Sequence, residues 1–311
     1  MEIEHAINKL KSLHDGDLAI TDVAAYGECA IPALRELLFA REPSGLYQVR
    51  CRAVETLALV RAYNVLIEFL SAERAITDPV ERVGEDAVIN AAALAVANVR
   101  KQPVFELLLR LGNNQPSLTG VIAAVGAFNR VDAIPVLIEA LEDDASRRTA
   151  EAALRRLSRS AIPALVRAAT LHVPSAERES ESSLRRRRSA LETLLQIGIP
   201  RKTWATLRDL IDDRDSKVVV LACKICLKRG WTSERSRAIH RLIALLDQVD
   251  WMLRDDIENC LVAHFDTARN IIARRIDGDS SPTPGNSPLT EQAKQVLRRV
   301  QERVEHASEG H

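Results

Sequence analysis

Ile134-Pro135-Val136-Leu137 returns 28 residues later as Ile162-Pro163-Ala164-Leu165, and an earlier copy, Ile31-Pro32-Ala33-Leu34, stands near the N-terminus. Each copy opens a helical stretch of about ten residues, because proline is tolerated at a first helical position whose N–H has no partner anyway. A break follows, then a second stretch rich in Ala and Leu. There the small and large apolar residues recur at helical spacing: Ala150, Ala153, Leu154 and Leu157; Ala53, Leu57, Ala58 and Val60; Leu184, Leu191, Leu194 and Leu195. One apolar stripe per helix follows from that spacing. A solitary helix pair cannot cover two stripes, so the pairs are expected to stack, with the small residues allowing close approach of the axes.

Working outward, Ile31 to Leu34 continues through Val49-Arg50-Cys51-Arg52-Ala53-Val54-Glu55-Thr56-Leu57, and Ile134-Pro135 continues through Leu141-Glu142-Asp143-Asp144 and Arg147-Arg148 to Leu154. These segments resemble HEAT repeats, in which an acidic turn precedes an Arg at the start of the second helix. The resemblance implies an all-α, right-handed α-solenoid whose second helices line an inner concave surface. Asp213 to Val218 offers the same acidic turn with Lys217 for Arg, and residues 63–128 keep the periodicity without Ile-Pro. We expect about eight helix pairs over residues 1–276, a flexible Pro/Ser/Gly-rich linker over 277–289, and a C-terminal helix and tail over 290–311. The last helix carries a stripe of Ala293, Val296, Leu297, Val300 and Val304 that needs a surface to dock on. Residues 171–183 form a polar insertion between two helices of one pair, a place where arrays often carry contacts.

The bulk composition narrows the function classes. Forty-three basic residues balance 43 acidic ones, hydrophobic residues make up 46% and aromatics 4%. Neutrality removes the simplest argument for a nucleic-acid or membrane protein. No run of about 18 apolar residues is present, and Met1 to His5 lack the pattern of a secretory signal. The cysteines, Cys29, Cys51, Cys223, Cys226 and Cys260, are odd in number and scattered, which suits a reducing compartment. A cytoplasmic protein with no membrane partner is expected.

Enzymatic signatures are missing from the sequence: no phosphate-binding Gly-Lys-Ser/Thr loop, no Gly-x-Gly-x-x-Gly, no Gly-x-Ser-x-Gly elbow. The Cys223-x-x-Cys226 pair falls inside a predicted helix without a second pair, and reads as core thiols rather than half a zinc site. The resemblance extends to HEAT-like di-iron hydroxylases, but their His-Glu pairs do not occur here. Trp204, Trp231 and Trp251, with Asp250, Asp255 and Asp256 nearby, lie where a HEAT-like glycosylase would use aromatic and acidic residues; bulky filler at helix ends is the plainer reading. No catalytic residue, metal ligand or cofactor is therefore assigned.

What remains is charge segregation. Eleven arginines face four acids between residues 147 and 188, whereas residues 132–144 hold five acids and no Lys or Arg. Helical angles turn Arg148 and Arg155 away from the Ala150 stripe and turn Arg185 and Arg186 outward. Arg187 and Arg188 flank the stripe, with heads reaching water. Arg148, Arg155, Arg185 and Arg186 are thus the candidate partner-binding patch, Arg being suited to bidentate contact with carboxylate or phosphate. Local ion pairing of Glu177–Glu181 with Arg185–Arg188 is the competing explanation. The expected function is a non-catalytic scaffold gripping a protein segment, acidic in character, on its concave face. The alternatives are nucleic-acid binding in an Arg-rich groove, or a glycosylase-like or bilin-lyase-like enzyme. The sequence sets no oligomeric state.

Overall fold

A computed structural model of the chain describes residues 2–12, 14–41, 47–175, 178–277 and 288–309. They are helical almost throughout, and they divide into two compact units, Met1–Leu157 and Ser158–His311.

The first unit holds α1 (Glu2–Leu10), α2 (Ala19–Ala24), α3 (Ile31–Phe39), α4 (Gln48–Leu59), α5 (Tyr63–Ser71), α6 (Pro79–Val96), α7 (Gln102–Asn114), α8 (Thr119–Ala127), α9 (Ile134–Glu139) and α10 (Arg147–Leu157). Pro32 and Pro135 occupy the opening turns of α3 and α9, each entered from a short 3₁₀ turn. Odd- and even-numbered helices form separate series, α3–α5–α7–α9 and α2–α4–α6–α8–α10, bridged pair by pair. The apolar stripe of α10, Ala150, Ala153, Leu154 and Leu157, is buried. Each large side chain so covered stabilises the fold by about 1.5–3 kcal/mol before entropy is charged.

The α6–α8 contact shows why small residues stand there. A Cβ on Gly120 would lie 2.5 Å from the Asn90 carbonyl oxygen, so only glycine fits. The first residues of α8 have no cap from their own chain neighbour, Leu118. Instead, Asn90 Oδ1 on α6 accepts hydrogen bonds from the Gly120 and Val121 N–H groups, at 2.8 and 3.3 Å. Asn90→Ala should cost about 1 kcal/mol, the usual value of a lost cap; an unchanged midpoint in urea denaturation would contradict this.

The second unit holds α11 (Ile162–Thr170), α12 (Glu181–Ile197), the single turn α13 (Trp204–Leu207), α14 (Ser216–Arg229), α15 (Thr232–Leu245), α16 (Trp251–Ala263), α17 (Phe265–Ile276) and α18 (Glu291–Glu309). Here α12 packs on α14 and α14 on α16, while α11, α15 and α17 cover them from their paired side. Ser180, Asp215 and Asp250 cap α12, α14 and α16 by accepting the N–H of Ser183, Val218 and Leu253. The linker expected at 277–289 lies, over 278–287, outside the described residues.

The C-terminal helix finds its surface inside this unit. Ala293, Val296, Leu297 and Val300 are buried where α18 meets α16 and α17, and Val304 is half-buried. The buried Glu258 of α16 receives Arg299 at 2.7 Å and Arg303 at 3.1 Å. Asp247 takes the Thr290 N–H at the start of the helix. No helix among the described residues is long and apolar enough to cross a membrane.

Candidate functional site

The four arginines singled out by charge have different surroundings. Arg148 and Arg155 belong to the first unit and are exposed on α10. Seven residues apart, they share a helix face. Arg185 and Arg186 belong to the second unit, on α12. Arg185 is half-buried, and Arg186 is only 7% exposed, donating to the Leu171 carbonyl at 3.0 Å and to Ser183 Oγ at 3.4 Å. The outward placement expected for Arg186 is therefore corrected. Its guanidinium donates to the carbonyl at the C-cap of α11, where carbonyls have no intrahelical donor.

Arg187 departs further from expectation. Its head does not reach water; the side chain is fully buried. Its Nε donates to the Ala169 carbonyl at 3.0 Å, one amino group donates to Glu179 Oε2 at 2.7 Å, and the other to Asp213. Glu179 sits in a two-residue antiparallel ladder that pairs Pro174 with Glu179 and Ser175 with Arg178. Ser183 Oγ donates to Glu179 Oε1 at 2.6 Å, and the His172 ring nitrogen Nδ1 lies 3.2 Å from Oε2. The polar insertion is thus tied to α12 through a buried carboxylate–guanidinium cluster. Of the pairing of Glu177–Glu181 with Arg185–Arg188 that the sequence offered, Glu179 with Arg187 is formed, in the interior rather than at the surface; Arg187 and Arg188 also take Asp213 and Asp215 from outside the run, and Glu177 lies outside the described residues.

Arg188 begins a different arrangement. Its Nε donates to Asp215 Oδ1 at 3.0 Å, joining α12 to the cap of α14. Hydrogen bonding to Asp215 pushes the Arg188 pKa up; burial alone would raise that of Asp215, but the Arg188 and Val218 donors outweigh it and hold the carboxyl below its usual range. One turn on, Lys217 meets Glu192 at 3.1 Å, again between α14 and α12. Lys224 meets Asp256 at 2.5 Å, between α14 and α16. These rungs flank an open groove of about 770 Å³ along the three helices, with Leu195, Leu221, Val249, Met252 and Leu253 among its lining residues. At the start of α16, Trp251 and Met252 are 75% and 62% exposed, high values for side chains of this size.

Sequence reasoning passed over this groove. It noted the acidic turn at 213–218 and Lys217, which are two of its signals, but ranked local arginine density above them. The tryptophans divide likewise. Trp204 is the bulky filler expected, fully buried with Nε1 donating to Glu234 Oε2 at 2.5 Å. Trp251 is not, since it stands in solvent. Cys223 and Cys226 are core thiols on α14, kept protonated because burial pushes the first well up and the second to about 12. Among the described residues, no group of three or more His, Cys, Asp or Glu is placed to hold a metal ion.

No family model matches this chain, and no curated protein matches it. Among solved structures, it is similar to a crystal structure described as an engineered protein, at 16% identity over 98% of this chain and 99% of that one, with a TM-score of 0.35.

Proposed function

We propose that the chain is a non-catalytic adaptor of the HEAT-like α-solenoid kind, binding protein segments along its second helices. The observation that carries this reading is the groove on α12, α14 and α16. It is open along three helices that pack in series, and six of its eight charged groups are tied into helix-to-helix pairs rather than converging on one reacting position. Such a surface suits an extended partner, which contacts several repeats in succession. The consecutive packing of second helices within each unit, and the three Ile-Pro openings, support the repeat assignment. Arg148 and Arg155, exposed on α10, stand as partner contacts of the first unit, and Arg186 does not.

Affinity capture from native lysate with the full chain tests the function. The same proteins should be retained with and without nuclease treatment. Capture that disappears on nuclease treatment would replace this reading by nucleic-acid binding. Capture of no protein under either condition would reject it.

A further inference from the structure

Every carboxylate that lines the groove of the second unit is already engaged. Asp215 accepts from Arg188 and from the Val218 N–H, Glu192 faces Lys217, Asp256 faces Lys224, and Asp250 accepts the Leu253 N–H at 2.8 Å. Three of its four Lys and Arg residues are engaged in return. The fourth, Arg214, is exposed and makes no ion pair or hydrogen bond among the described residues. An incoming carboxylate therefore meets one guanidinium that gives up no internal partner to receive it. An incoming ammonium would meet either a carboxylate already held in a rung or Asp250, one of whose oxygens is committed to the cap of α16. An exposed ion pair alone is worth at most about 1 kcal/mol, so the apolar lining must supply the rest. Met252 is the exposed part of that lining, and its unbranched thioether adapts to differently shaped partners.

We infer that this groove seats a protein segment bearing a single carboxylate flanked by leucine-like side chains, the carboxylate on Arg214 and an apolar side chain on Met252 and Leu253. The inference rests on the adaptor reading and narrows it. A long acidic tract does not fit, because Arg188, Lys217 and Lys224 are already paired and only Arg214 is left to receive it. The planar fork of Arg214 favours a carboxylate held by two parallel hydrogen bonds.

The chain has only two methionines, Met1 and Met252, so carbon-13 labelling of methionine methyl groups gives the groove its own NMR signal with an internal reference. Full-length protein is titrated with the blocked peptide Ser-Leu-Asp-Leu-Leu-Ser, with its Lys-for-Asp counterpart, with a glutamate hexamer and with a short DNA duplex. The aspartate peptide should shift the Met252 signal to saturation, and Arg214→Gln should weaken that binding by about three- to tenfold, the size of one charge contact. Arg214 is exposed, so an unchanged melting temperature will show that the variant folds. The lysine peptide and the glutamate hexamer should bind more weakly by a similar factor. Equal binding of aspartate and lysine peptides, a stronger response to the hexamer or to DNA, an aspartate peptide without effect, or an Arg214→Gln variant with full affinity would each overturn the inference. In all those cases nuclease-resistant capture from lysate would still stand for the adaptor function, so the two readings fail separately.

Discussion

Glu85→Gln is expected to lower the stability of the first unit by about 3–5 kcal/mol, the range for breaking a buried ion pair by removing one partner. Glu85 on α6 is buried and serves two guanidinium groups at once. Arg50 of α4 approaches one carboxylate oxygen at 2.5 Å, and Arg74, just after α5, approaches the other at 2.5 Å. Both guanidiniums also lie over the Phe69 ring, 5.5 and 4.2 Å from its centre, and Arg50 donates to the Leu38 carbonyl at 2.8 Å. Two helix pairs, α3–α4 and α5–α6, therefore share this one negative charge. Glutamine keeps the shape and an acceptor but leaves two positive charges facing each other without compensation. Burial by itself would raise the Glu85 pKa, yet hydrogen bonding and charge from Arg50 and then Arg74 outweigh it, and the net displacement is downward. A depressed carboxylate contributes its stability in full above the ordinary Glu range and loses it as pH falls through the lowered native value. The gap between wild type and Glu85→Gln, measured by guanidinium denaturation, should thus be constant near neutrality and shrink in acid. A loss below about 1 kcal/mol at pH 7 would show that the cluster is energetically idle.

Arg187→Met should produce a loss of the same size, about 3–5 kcal/mol, in the second unit. The substitution retains much of the stem and removes the charge from a site with no solvent access. Glu179 and Asp213 are then left as neighbouring, largely buried carboxylates without their shared cation, and the Ala169 carbonyl loses its donor. A measurable second consequence is local. The insertion between α11 and α12 is held to the helix through Glu179, so limited proteolysis within residues 171–180 should accelerate more than global destabilisation explains. Arg214→Gln, at an exposed position of the same unit, serves as the control and should change stability by less than about 0.5 kcal/mol. Equal effects of the two substitutions would deny Arg187 its anchoring role.

The helices were legible in the sequence because their signals are local. Pro32, Pro135 and Pro163 mark helix openings, and the stripe of α10 follows from spacing alone. The arginine run was misread for the same reason. Helical angle gives a side chain's direction around its own axis, but not what the chain returns to place there. Arg187 lies near the stripe of α12, and only tertiary structure shows that Asp213 and Glu179 arrive to bury its head. The groove was harder still, since Arg214, Lys224 and Met252 come from separate stretches and none is unusual by itself. Docking of α18 was anticipated as a need, but Glu258, the acid that receives its arginines, carries no signature apart from its position four residues before Val262 on a helix with mixed charge.

The cap that α6 lends to α8 has a consequence for how a ribosome delivers this chain. Asn90 is synthesised thirty residues ahead of the Gly120 amide it receives, so a nascent α8 emerges onto a template already in place. Arg187 waits for its last partner over a similar length of chain. Asp213 follows it by 26 residues, and until that carboxylate leaves the exit tunnel only upstream acceptors, Glu179 and the Ala169 carbonyl, are at hand to hold the charge. During synthesis Asn90 therefore waits without its α8 partner, whereas Arg187 waits already held by two of its three acceptors.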